Sequence, residues 1–273
     1  MQPEQEGFKL APNERLFLGE GLFETIKVLK SKPCFAELHW QRLRNSAQAL
    51  GFSFTLSLEA WRHSLLAKIQ QERLLDGGIK AIWTGGEASR GLISEGQNSQ
   101  LLLHAFSFQT LFKPVRLKTA SWLRDANNPL YQLKTINYLE AILARRQAMQ
   151  EGADDALFFN TQHCVTEASC ANIFFLQEGR LLTPAQTEGV LPGITRSRIL
   201  NHCRHLNLAY AEVSITRELI KQSEAVFLTN ALQGIHYVAA IDQHEFLPNH
   251  PTVSRLIAVL KEEEQTMLHN QLN

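Results

Sequence analysis

Two apolar runs, DALFFN at 155–160 and ANIFFLQ at 171–177, stand either side of the polar stretch TQHCVTEASC. Each is rich in aromatic and branched side chains and far too short to cross a bilayer. Runs of this length bounded by polar residues read as strands rather than helices. A chain that spends its apolar residues in such pieces has to assemble a sheet.

The rest of the chain alternates strand-like and helix-like stretches. LFETIKVL (22–29) reads as a strand, KSKP as a turn and CFAEL as a return strand. ELHWQRLRNSAQALG (37–51) reads as an amphipathic helix with Leu38, Leu43, Ala47 and Leu50 near one face and Gly51 as its stop. Ser57 caps a second helix expected to run to Leu75, where DGG stops it. IKAIWT, QLLLHAFSF and VRLKTASWL add strands, with LFKP (111–114) as the linker between the second and third. TINYLEAILARRQAMQEG (135–152) predicts a long helix with Ile136, Leu139, Ile142 and Leu143 on its core face and Gly152 as its stop. LPG (191–193) is a turn opening a helix at Ile194; AVFLTN, IHYVAAI and HEFL are strands, and the tail from Thr252 is helical. The expected fold class is mixed α/β (α+β) in two units, 1–113 and 114–273. The strands do not form a regular βαβ series and no GxGxxG follows one, which argues against a Rossmann domain. GxxxxGK[ST] and GxSxG are also missing.

Composition narrows the partners. Lys plus Arg and Asp plus Glu are 27 each in 273 residues, so the chain is formally neutral. That argues against nucleic acid or an acidic membrane surface as the main partner. The four cysteines, Cys34, Cys164, Cys170 and Cys203, form no CxxC, which suits a reduced cytoplasmic protein. MQPEQEGFKLAPNERLF has no basic region followed by an apolar run, so no signal peptide is expected. His202 and His205 could share a helix face but lack a second ligand pair, so no metal is expected. GGEASRG (85–91) reads as a loop whose one candidate functional group is Arg90.

The chemistry concentrates in 132–198. A pyridoxal phosphate site needs a lysine for the aldehyde, a carboxylate for the pyridine nitrogen, and an arginine with a helix N-terminus for the phosphate. QLKTINY offers Lys134, with Tyr138 four residues on; VTEASC offers Glu167; LPGITR places Ile194 and Thr195 at a helix start; HWQRL offers Arg42. Singly, these are surface charges, a loop carboxylate and a turn. Together and in this order they answer the separate needs of one cofactor.

In these blocks, and in FLGEGLFETIKV, SRG and EAVFLTNALQGIHYV, the chain resembles the fold-type IV, or class IV aminotransferase, family. The resemblance covers nearly the whole chain. It implies a small N-terminal α/β domain, a larger C-terminal pseudo-barrel domain, a pyridoxal 5'-phosphate cofactor between them, a small amine substrate, and a homodimer that shares residues between subunits. It makes Lys134 the Schiff-base lysine, Glu167 the carboxylate at the pyridine nitrogen, and Tyr138 the phenol near the ring hydroxyl. Arg42 and the backbone N–H groups of Ile194 and Thr195 become the phosphate site. TNALQGI departs from the threonine-rich turn of branched-chain aminotransferases: Ala231 stands where a threonine helps hold the phosphate, leaving Asn230 and backbone groups to serve. NAL followed by GI is closer to the 4-amino-4-deoxychorismate lyases, which release 4-aminobenzoate and pyruvate on the way to folate. On that reading Arg90, Ala231 and Leu232 are candidates for the substrate carboxylates. The alternative is a transaminase of D-amino acids, branched-chain amino acids or related amines.

Overall fold

β1 (Gly21–Leu29) sends Leu22, Ile26 and Val28 into a core where each is fully buried. The structure of the chain, a computed structural model, describes residues 10–110 and 113–270. Leu111 and Phe112 of the expected linker, and the first nine residues of the stretch read for a leader, lie outside those residues. β1 turns through Lys30 and Ser31 into the short β2 (Lys32–Pro33). Both turn residues have positive φ, 48° and 59°, the backbone a two-residue hairpin needs to follow the strand twist. The expected return strand over CFAEL does not form: Phe35, at φ 51°, redirects the chain into α1 (Ala36–Ala49). β3 (Gly77–Thr84) and β4 (Leu101–Ser107) complete an antiparallel sheet in the order β2-β1-β3-β4.

α1 and α2 (Leu58–Gln71) cover this sheet. Ser57 Oγ accepts from Ala60 N at 3.1 Å, the expected cap. α2 ends at Gln71, short of Leu75. Arg73 takes a left-handed φ of 50°, its N–H donates to Gln70 O, and Leu74 N–H donates to Ile69 O. That pair of bonds is the Schellman close, formed here ahead of the Asp-Gly-Gly stop. Trp61, Leu65 and Ile69 of α2 pack with Leu43 and Ala47 of α1, and Trp61 Nε1 donates to Ala36 O at 2.8 Å.

The second sheet has nine strands. They are β5 (Val115–Arg124), β6 (Asp155–Asn160), β7 (Val165–Ala168), β8 (Asn172–Gln177), β9 (Arg180–Pro184), β10 (Tyr210–Val213), β11 (Ala225–Asn230), β12 (Gly234–Ile241) and β13 (His244–Glu245). Their order is β10-β9-β8-β11-β12-β5-β6-β7, with β13 paired to β12. The sheet is mixed: β12, β5 and β6 run parallel, as do β9 and β10. It curls into a half-barrel whose interior is filled by Phe159, Val165, Ile173, Phe175 and Val226. DALFFN is β6 and ANIFFLQ is Ala171 followed by the whole of β8, both buried almost throughout. The stretch between them is not only a loop. It contains β7, whose four residues include one carboxylate and are too few to show a period.

α3 (Leu139–Gln150), α4 (Ile194–His205), α5 (Arg217–Gln222) and α6 (Pro251–Asn270) complete the chain. α3 departs from expectation twice. It begins at Leu139, because residues 134–136 lie along β1 instead: Phe23 N donates to Lys134 O at 2.8 Å and Ile136 N to Gly21 O at 3.0 Å. It also buries its small residues, Ala141, Ala144 and Ala148, while Leu139, Ile142 and Leu143 are 66%, 42% and 48% exposed. Alanine lets the helix axis come close to β5 and β6, where Ala120, Ala156 and Phe158 meet it. α6 runs from the second sheet back to the first. Lys27 Nζ contacts Glu264 at 2.8 Å and Lys32 Nζ donates to Leu268 O at 2.8 Å. All four cysteines are free.

Leu65 is fully buried beneath the first sheet. Leu65→Ala should lower the unfolding free energy by about 2–5 kcal/mol, read from urea denaturation midpoints at an unchanged slope.

Candidate functional site

Glu24 sits in the middle of β1 and is fully buried. A carboxylate placed there needs partners that outweigh its lost hydration. α1 supplies two, His39 and Arg42, three residues apart and therefore on one helix face. Arg42 grips the carboxylate in a fork, Nε to Oε1 at 2.8 Å and Nη2 to Oε2 at 2.6 Å. His39 Nδ1 lies 2.6 Å from Oε2. Burial alone would push the Glu24 carboxyl up, but Arg42 and His39 together hold it down at about 2. Burial lowers the pKa of His39, against the pull of Glu24. Arg42 has one nitrogen to spare, and Nη1 donates to Pro192 O at 3.2 Å.

That bond reaches the Leu-Pro-Gly turn before α4. Gly193 precedes the helix without offering a side-chain cap, so the first N–H groups of α4, at Ile194 and Thr195, have no cap of their own. A Cβ at Gly193 would lie 2.0 Å from Asn172 Oδ1, so the turn can lie against Asn172 only as glycine. Asn172 Nδ2 donates to Leu191 O at 2.9 Å and to Glu167 Oε2 at 3.3 Å. Glu167, on β7, also accepts from Leu191 N at 3.1 Å and from Arg124 Nη1 at 3.4 Å. Burial pushes the Glu167 pKa up, with Arg124 the main opposing influence.

Lys134 comes to the same place from the segment pinned along β1. Its Nζ donates to Tyr138 Oη at 3.2 Å and lies 4.3 Å from the centre of the Phe23 ring. Burial first, and the Arg42 charge second, bring its pKa down to about 8. Burial and the neighbouring Glu167 push the Tyr138 phenol up, so it stays protonated. The rings of Phe23 and Tyr138 meet edge to face at 5.0 Å.

These groups line a cavity of about 700 Å³. Lys134, Tyr138, Glu167, Arg42, Ile194, Thr195, Asn230, Ala231 and Leu232 all reach it. Arg90 does not: it is exposed on the loop between β3 and β4. Asn230 is tied to the turn that follows it. Its Oδ1 accepts from Leu232 N at 3.1 Å and Gln233 N at 2.9 Å, so that oxygen shapes the turn. Beside it Thr229 lines the cavity with a buried Oγ1 that has no partner.

The donor set fits pyridoxal phosphate. Arg42, the uncapped first turn of α4 and the unpartnered Thr229 hydroxyl suit a phosphate. Lys134 suits the aldehyde and Glu167 the ring nitrogen. Sequence reasoning missed Glu24, His39, Arg124 and Thr229. A glutamate amid the apolar residues of LFETIKVL, followed by His and Arg at helical spacing, was the available signal for the first two. Arg124 is 5% exposed and has no such signal; it is found only through its bonds to Glu140 and Glu167. His202 pairs with Glu263 at 2.9 Å, and no cluster of three metal-ligating side chains occurs among the described residues.

Known proteins give the arrangement its context. The family described as Amino-transferase class IV matches residues 21–241. A crystal structure from Legionella pneumophila, provisionally named a 4-amino-4-deoxychorismate lyase, is 51% identical with a TM-score of 0.93, covering 95% of this chain and 97% of that one. The branched-chain-amino-acid aminotransferase of Escherichia coli K12 is 25% identical over 213 residues, 75% of this chain and 69% of its own. The D-alanine aminotransferase of Bacillus licheniformis is 25% identical over 232 residues, 82% of this chain and 80% of its own.

Glu24→Ala would strand Arg42 beside a buried gap. It should cost about 3–5 kcal/mol in chemical denaturation, far more than an exposed ion pair is worth. The Lys134 amine should react with an acylating probe at a rate that levels off above a pH of about 8, read by mass spectrometry of its peptide. An ordinary lysine, with a pKa of about 10.4, would still be gaining rate there. The same shift makes Lys134 a pH-dependent influence on the fold. The unfolded chain holds this proton more tightly, so stability of the cofactor-free protein should rise with pH between about 8 and 10.5.

Proposed function

The chain belongs to the class IV aminotransferase family of pyridoxal-phosphate-dependent enzymes, and from that membership we propose that it is a 4-amino-4-deoxychorismate lyase, forming 4-aminobenzoate and pyruvate. The observation that carries the lyase over a transaminase is the 51% identity to the Legionella protein along nearly the whole of both chains. Likeness to the aminotransferases stands at half that level.

When bound, pyridoxal phosphate supplies an electron sink for the carbanion formed at the amine-bearing carbon. Arg42 and the N–H groups of Ile194 and Thr195 hold the phosphate, with Thr229 Oγ1 as a further donor. Glu24 fixes Arg42 in the pose this requires. Glu167, itself held by Arg124, Asn172 and the Leu191 N–H, would hold the ring nitrogen. Lys134 would hold the cofactor's aldehyde at rest and, once released by the substrate amine, would act as the base, its Nζ taking the proton from the amine-bearing carbon. A pKa near 8 leaves a useful fraction of that amine neutral at physiological pH. Tyr138, kept protonated by burial, orients Lys134 Nζ through its hydroxyl. Loss of that proton, with departure of the enolpyruvyl oxygen, leaves an aromatic amine.

The same reading makes the protein a cytoplasmic homodimer built from units 1–113 and 114–273, acting on a small amine. The separate sheets of the two units support the division. Leu139, Ile142 and Leu143, exposed along α3, are a surface that a second copy would cover. No described helix is long and apolar enough to cross a membrane.

Incubation with 4-amino-4-deoxychorismate should release 4-aminobenzoate and pyruvate in equal amounts. Amino transfer from D-alanine or a branched-chain amino acid to 2-oxoglutarate, without that release, would replace the lyase by a transaminase. Lys134→Ala should abolish turnover and the yellow colour of the loaded protein; a variant that kept both would remove Lys134 from its role.

A further inference from the structure

Arg42 is fixed by Glu24 and Pro192 at the phosphate end, but it is not the only arginine on the cavity wall. Arg145 lines the same cavity from α3, where the wall opens to solvent and leaves the side chain exposed. Tyr138, Arg145 and Met149 all reach the cavity, and their spacing of seven and then four residues returns to one helix face. The rise from Tyr138 to Arg145 is about 10 Å at 1.5 Å per residue.

Arg145 has no carboxylate within ion-pair distance among the described residues. Its recorded bond is from Nη1 to Cys170 Sγ at 3.6 Å. Cys170 also lines the cavity and lies close enough to Lys134 for each to feel the other's charge. Lys134, Cys170 and Arg145 therefore follow one another along the wall. The carboxylate that competes for Arg145 is Asp155, whose Oδ2 is 3.8 Å from Cys170 Sγ. Asp155 is 5% exposed and its Oδ1 is taken by Ala156 N at 2.7 Å, which limits its reach. Cys170 is partly open to solvent, but the protein crowded around its thiol raises the pKa, so the thiol stands neutral next to the guanidinium and does not repel an anion.

An arginine fork that faces a cavity without an ion-pair partner is matched in shape and charge to a carboxylate. We propose that Arg145 is the substrate-recognition residue of this cavity, binding a ring carboxylate that lies across the ring from the amine presented to Lys134. This rests on the lyase reading of the site for the identity of the natural substrate, but the recognition itself does not. Arg145 would then do what the sequence assigned to Arg90.

The test uses the pyridoxal-phosphate-loaded protein with 4-aminobenzoate and aniline as probes, their binding measured by calorimetry. Wild type should prefer 4-aminobenzoate. Arg145→Gln should weaken 4-aminobenzoate about tenfold or more and leave aniline unchanged. Arg145→Lys should retain part of the preference. Arg146→Gln, at a neighbour exposed like Arg145 but not lining the cavity, should bind as wild type does. The cofactor absorbance should stay the same in all of them. Equal binding of 4-aminobenzoate by wild type and Arg145→Gln would overturn the proposal, as would a wild type with no preference over aniline. Kinetics separate this outcome from the fate of the lyase reading. Binding through Arg145 without release of pyruvate keeps the subsite and removes the lyase. Turnover with an unchanged KM in Arg145→Gln keeps the lyase and removes the subsite.

Discussion

The fork between Arg42 and Glu24 is the interaction on which the site depends. It crosses from helix α1 to the centre of strand β1, with His39 closing the remaining side. Both carboxylate oxygens are used, so a buried charge that would otherwise be costly becomes a fixed point. From that point Arg42 reaches across to Pro192, which ties the first sheet to the turn before α4. The charge it holds in place is also one of the influences that bring the Lys134 amine down towards neutrality. One ion pair thus positions the anion end of the cavity and helps set the basicity of its amine.

A second constraint is the way the two sheets share a seam. Residues 134–136 lie along β1 by backbone hydrogen bonds, not within a helix. This places Lys134 over the Phe23 ring and sets the start of α3 at Leu139. α3 then rests on alanines and comes close to β5 and β6. The close approach has two consequences. It places Tyr138 and the solvent-exposed Arg145 on the cavity wall, and it leaves the larger residues Leu139, Ile142 and Leu143 outside.

Much of the fold could be read in the sequence because many of its elements advertise a period or a cap. DALFFN, ANIFFLQ and LFETIKVL are strands where the apolar runs predict them, and Ser57 caps where its position predicts. Elements without a period escaped notice. β7 is four residues long, β10 is a four-residue edge strand, and β9 is five residues buried in all but its first, so none is long enough to show alternation. The core face of α3 was misread because hydrophobicity ranks leucine above alanine, whereas close packing against a sheet selects the smaller side chain.

The sequence by itself determined the chemistry available: an amine at Lys134, a carboxylate at Glu167, an arginine at Arg42 and a glycine turn before a helix. Residue type and order are enough for that, because each need of the cofactor calls for a particular functional group. Only the tertiary structure decided which groups stand together and in what state. Burial sets the pKa of Lys134 and Glu167, and burial is a property of the packed chain. The fold also separates two arginines with respect to the cavity. Arg90 stands on a surface loop away from it, and Arg145, itself exposed, stands on its wall.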